Sequence, residues 1–130
     1  ASLGWEEDAP RPDLALLVVP REHASVLEEA CVQAVRALSP TTLLGVVGAG
    51  AIGGNEEVDT EPALSLIAGT FPAETTLTPF VLTQDRMPVW SQLAPGDGGP
   101  PAFLLLADPF SAVTQAVAAL DEAYPAAVVA

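Results

Sequence analysis

The stretch Asp13-Leu14-Ala15-Leu16-Leu17-Val18-Val19-Pro20 decides the fold. Leu14–Val19 is apolar without a break, and Pro20 closes the run. A short, Val-containing run of this kind reads as a strand buried on both faces, as parallel sheets require. Across Glu22–Leu38, the residues Leu27, Cys31, Ala34, Val35 and Leu38 recur at helical spacing, while Glu28, Glu29, Gln33 and Arg36 take the other face. This is an amphipathic helix, and Ser39-Pro40 ends it. Thr42–Val47 is a second apolar strand. Strand, helix and strand in this order are the start of an α/β fold.

Residues 1–13 are acidic and Pro-containing and read as a surface lead-in. Residues 48–62 read as a long loop of glycines followed by acids. Ala63–Phe71 and Thr75–Thr83 read as two strands, and the short Pro-Ala-Glu link between them implies an antiparallel hairpin. Pro79 places the second of these at an edge. Residues 84–101 are a Gly- and Pro-rich loop. Ala102–Ala107 reads as a further strand, Phe110–Ala123 as a helix with Phe110, Val113, Val117 and Leu120 inward, and Ala126–Ala130 as the start of a last strand. The expected order is β-α-β-β-β-β-α-β. That is an α/β domain over residues 14–130 with a mixed sheet, a hairpin in its middle and two packed helices.

A chain of 130 residues can bury one real core. It carries 17 Asp and Glu against 4 Lys and Arg, a net charge of −13, and all four basic residues are Arg. That excludes a general binder of nucleic-acid backbones, which needs a basic stripe, and argues against anionic membrane surfaces. One Cys and one His exclude an internal disulfide, a Cys-based zinc cluster and multi-His metal sites. Every apolar run is interrupted before it reaches membrane-helix length, so a soluble intracellular chain without membrane insertion is expected. Ala1 stands where a Met would open a full translation product, so a processed, trimmed or partial chain is expected. The lone Cys leaves the redox compartment open.

Gly48-Ala49-Gly50-Ala51-Ile52-Gly53-Gly54 matches the dinucleotide pattern G-x-G-x-x-G and follows a strand. The pattern works only where it opens a helix, whose free amides and dipole hold the pyrophosphate. Here Asn55–Pro62 has no helical periodicity, and its acids would repel a phosphate. Two readings stay open: a flexible glycine turn, or a backbone-lined pocket for a small ligand. The acids lack the spacing of a calcium loop. Asp108-Pro109 reads as the N-cap and first position of the second helix; Asp108 also falls at a strand's carboxyl end, where ligands gather in open α/β sheets. His23 reads as a surface residue at a helix start. Cys31 reads as a buried thiol on an apolar helix face. Trp5 and Trp90 fall in loops, where they pack over the domain or contact a partner. Asp108 with Ser111 could be drawn as a hydrolytic pair, but no nucleophile elbow is present.

"DLALLVVP" (Asp13–Pro20), "LLGVVGAGAIGG" (Leu43–Gly54), "EPALSLIAGTFP" (Glu61–Pro72), "LLLADPFS" (Leu104–Ser111) and "LDEAYPAAVV" (Leu120–Val129) occur in one order and spacing. Together they resemble the N-terminal domain of the FIST family (F-box and intracellular signal transduction), over roughly residues 13–130. The "AYP" ending is similar to plant, algal and cyanobacterial-type members. Val46 and Val47 stand where the family often has Cys and Ser. The family's preceding helix and its second domain have no counterpart, so the resemblance implies a partial N-terminal domain. It implies a sensory module that binds a small ligand, such as an amino acid or its derivative. It carries over no catalytic residue.

The expectation is therefore a non-enzymatic ligand-binding domain without cofactor or metal. Its candidate ligand residues are Gly48, Gly50, Gly53, Gly54, Asn55 and Asp108. The alternative is an accessory protein-interaction subunit of a larger complex, with a basic partner meeting Trp5 and Trp90. The plant-like resemblance and the Ala-Ser start are compatible with a chloroplast location.

Overall fold

Leu14–Pro20 forms strand β1, and its alternate residues settle the layout of the first half of the molecule. In the computed structural model, which describes residues 9–49, 51–53, 56–58, 63–83, 89–94 and 99–130, the chain falls into two compact units, Ala1–Leu77 and Thr78–Ala130. In the first, β1 is followed by a 3-10 turn (Arg21–Val26), helix α1 (Leu27–Leu38), strand β2 (Thr42–Gly48), the short strands β3 (Ala51–Gly53) and β4 (Glu56–Val58), and strand β5 (Ser65–Gly69).

β1 is the centre of a three-stranded mixed sheet ordered β2-β1-β5. It runs parallel to β2 from Leu14 opposite Thr42 to Pro20 opposite Gly48. It runs antiparallel to β5 from Leu14 opposite Gly69 to Val18 opposite Ser65. Ala15, Leu17 and Val19 share one face and are fully buried. Burial of Leu17 and Val19 contributes about 1.5–3 kcal/mol each. α1 covers this face, turning Ala34 and Leu38 into the core. The approach is close at Gly45, in register with Leu17. A Cβ built there would lie 2.6 Å from Cys31 Sγ and 3.3 Å from Leu27 Cδ1. On the other face Leu14, Leu16 and Val18 are only half-buried, and Ile67 is exposed. β1 is thus buried on one face, not on both as its unbroken apolar run implies.

α1 starts at Leu27, because the chain first makes the 3-10 turn, which is kinked at His23 (φ −111°, ψ 17°). It stops at Ser39, which adopts the left-handed conformation (φ 48°, ψ 47°) and donates its N–H to the Val35 carbonyl. The Ser39 carbonyl accepts a hydrogen bond from Arg11 Nε. Pro12 is fully buried, and its carbonyl accepts the Thr41 N–H at 3.0 Å. Asp13 accepts the Thr42 N–H on its carbonyl at 2.9 Å and donates its own N–H to Gly69 O at 2.9 Å. Its Oδ2 accepts the Phe71 N–H at 2.8 Å. Residues 11–13 are thus part of the first unit's fabric, not a loose lead-in.

The middle of the chain departs most from expectation. The hairpin is β3–β4, with Ala51 opposite Val58 and Gly53 opposite Glu56, inside the stretch that reads as a loop. β5 pairs with β1, so the expected hairpin of Ala63–Phe71 with Thr75–Thr83 does not form. Thr75–Thr83 is irregular apart from a single bridge residue at Thr83. The Thr75 N–H closes a turn onto Pro72 O at 2.9 Å, and Pro79 has no N–H to offer a ladder.

In the second unit, a 3-10 turn (Trp90–Gln92) precedes strand β6 (Ala102–Phe103), helix α2 (Val113–Ala123) and strand β7 (Val128–Val129). β6 and β7 are parallel. The pairing is prolonged by Leu105 N–H to Ala130 O at 2.8 Å and Ala130 N–H to Phe103 O at 3.0 Å. β6 is nonetheless shorter than the apolar run Ala102–Ala107. Phe103, Ala116 and Leu120 form the buried core. Around Phe103 stand Tyr124, tilted at a centroid distance of 5.3 Å, and Phe80, edge-on at 6.3 Å. Phe110, expected inward on α2, precedes that helix and is 95% exposed. The sequence predicts one packed helix pair; α1 covers the sheet of the first unit, and α2 lies in the second. The α/β character and the mixed sheet hold.

Candidate functional site

β1 and β2 are parallel, so both end at the same edge, with Pro20 opposite Gly48. Carboxyl ends of parallel strands carry the ligand crevices of open α/β sheets, because the connecting loops diverge there. Two segments gather at this edge. The 3-10 turn Arg21–Val26 leaves β1 and lies against both β1 and β2. β3 follows β2 and lies against β1 and β5.

Gly48 is half-buried at the end of β2, and Gly53 is the last residue of β3, opposite Glu56. Gly50, Gly54 and Asn55 lie outside the described residues, as do Asp59 and Glu61. The element after the glycines is a strand pair and not a helix, so the dipole and free amides of a dinucleotide loop are not supplied. What this edge offers is strand-end backbone from β2 and β3, beside the 3-10 turn.

Three residues outside the glycine stretch also stand at this edge. Arg21 and His23 sit in the turn directly after β1; His23 is half-buried at the kink rather than on a plain surface. Ser65 begins β5 opposite Val18 and is buried. A signal existed for the first two: a strand closed by Pro20 puts the next residues at its carboxyl end.

Asp108 belongs to the second unit, and its role differs from both expectations. α2 begins at Val113 with Ala112 in the cap position and no side-chain cap. The Asp108 carboxylate instead accepts the Phe110 N–H at 2.9 Å. Its carbonyl accepts the Ser111 N–H at 2.9 Å and the Ser111 hydroxyl at 2.6 Å. Asp108 therefore closes a turn ahead of the helix, and because β6 stops at Phe103 it does not stand at a strand end. The reason is local: an Asp side chain bonds its own backbone two residues on before a helix can start.

Trp90 is half-buried. Its carbonyl accepts the Tyr124 hydroxyl, and the same oxygen of Tyr124 accepts the Ala94 N–H at 3.1 Å. Trp5 lies outside the described residues. Cys31 is half-buried over Gly45, which accounts for it as packing. Among the described residues, no group of three or more His, Cys, Asp or Glu is placed to hold a metal, and no helix is long and apolar enough to cross a membrane. No protein-family model, curated protein or solved structure matches the chain.

Proposed function

We propose that the chain is a non-enzymatic sensory domain of FIST type that binds a small ligand at the carboxyl edge of β1 and β2. One observation carries this reading: the glycine stretch leaves a parallel strand at that edge and returns as a β-hairpin. Glycine lets backbone approach a ligand closely, and the edge is where the fold class places ligands. The resemblance to FIST N-terminal domains supports the same assignment. Gly48, Gly50, Gly53, Gly54 and Asn55 are its candidate contacts. Asp108 is left out, because its carboxylate serves its own turn. The acids after the glycines weigh against a phosphorylated ligand and leave room for an amine-bearing one such as an amino acid.

Calorimetry of the whole chain against an amino-acid library tests the reading. Binding by the wild type that disappears in a folded Gly48→Val variant is the expected result. A folded wild type that shows no heat with any member at millimolar ligand overturns it.

A further inference from the structure

Phe110 is the most exposed large apolar side chain among the described residues, at 95%. A single exposed apolar residue means little by itself; the turn that carries this one gives it meaning. Its N–H is fixed by Asp108 Oδ1 at 2.9 Å, and the next residue is fixed twice, through the Ser111 N–H and the Ser111 hydroxyl. Pro109, between Asp108 and Phe110, has its φ locked by its ring. None of these bonds caps α2, which begins beyond them at Val113. Leu104 and Leu106, just upstream, are also exposed.

We propose that the Asp108–Ser111 turn is a docking knob on which Phe110 enters an apolar pocket of a partner protein with a basic rim. A phenylalanine has the apolar area of an interface anchor, and a turn already held in place has little freedom left to lose on binding. The rim follows from charge. The exposed Asp108 belongs to the same turn, its carboxylate on the Phe110 N–H, and the chain carries −13 with no Lys. A second copy would bring −13 against −13, and an anionic membrane would repel the chain likewise. A basic rim is complementary and would speed encounter. The knob lies in the second unit and does not depend on ligand binding in the first.

The test places the photoreactive p-benzoylphenylalanine at position 110 of the whole chain, with irradiation in cells that make the protein and mapping of the crosslinked peptide. One protein species, crosslinked in an apolar pocket flanked by Lys or Arg, is expected. With that purified partner, Phe110→Ala should weaken binding roughly tenfold to a hundredfold at unchanged thermal stability, and added salt should slow association. The proposal is overturned if the crosslinks go only to lipid, only to other copies of the chain, or to no protein. It is equally overturned if Phe110→Ala leaves the affinity for the mapped partner unchanged.

Discussion

Replacing Gly45 by Ala tests the contact between α1 and the sheet. The new Cβ would stand 2.6 Å from Cys31 Sγ and 3.3 Å from Leu27 Cδ1. The first distance is about 1 Å inside an ordinary contact of 3.5–4.0 Å. Cys31 has little freedom to yield, because helical backbone restricts its rotamers and Leu27 occupies the neighbouring space. Relief must come from α1 lifting off β2, above the buried Leu17. Overpacking of this kind costs about 1–3 kcal/mol, and the stiffer unfolded chain returns roughly 0.4–1 kcal/mol. A net loss of about 1–2 kcal/mol is expected for Gly45→Ala. In a Cys31→Ala background the sulfur is gone, and the same substitution should become neutral or slightly stabilising. Urea denaturation followed by far-UV circular dichroism, with all four corners of the cycle measured, gives the coupling. If Gly45→Ala costs the same in both backgrounds to within about 0.5 kcal/mol, the sulfur does not fill the space above Gly45 and the reasoning fails.

Ser39→Gly should stabilise the first unit by about 0.5–1 kcal/mol, since Ser39 is held left-handed where glycine has no Cβ penalty; a lowered urea midpoint would contradict this. Tyr124→Phe removes the shared partner of the Trp90 carbonyl and the Ala94 N–H. It should cost about 1–3 kcal/mol and speed amide exchange at Ala94 while leaving that of Ser39 unchanged. Asp108→Ala should loosen the turn without shortening α2, whose cap position is Ala112. A fall in helical signal at an unchanged melting temperature would restore the N-cap reading.

β1, α1 and β2 are legible in the sequence because each has a pattern with one interpretation. Leu14–Val19 is too short and too apolar for a surface helix, and Leu27, Cys31, Ala34 and Leu38 repeat only on a helix. β3 and β4 are not legible by hydropathy, since Glu56-Glu57-Val58 has one apolar residue. Their signal was the pair Gly54-Asn55 between them, a composition that two-residue hairpin links favour. Thr75–Thr83 misleads in the opposite direction: it alternates like a strand, but strand identity depends on a partner, and Pro79 in its middle has no N–H to give a ladder. Phe110 sits at helical spacing from Val113, yet the Asp108 turn intervenes, so periodicity extended the helix past its start. At the candidate site the glycine stretch is legible as a feature. That no helix follows it is legible too, from the missing periodicity of Asn55–Pro62; which strands lie beside the hairpin is not, because contacts of β3 with β1 and β5 join residues far apart in the sequence.

The central position of β1 carries a cost during synthesis. It is made before either strand that flanks it, and its partners arrive in order: β2 opens at Thr42, and β5 begins only at Ser65. At about 5–20 residues per second on the ribosome, the most apolar strand of the sheet waits seconds without a ladder on either edge. An unpaired run such as Leu-Ala-Leu-Leu-Val-Val is what nascent chains aggregate through. Helix α1, formed from local contacts in microseconds, can cover the buried face of β1 before β2 exists. The order of manufacture thus makes α1, which in the folded chain packs over Gly45 of β2, the early guard of β1, and makes β1 the place where a holding chaperone would be needed if α1 were weakened.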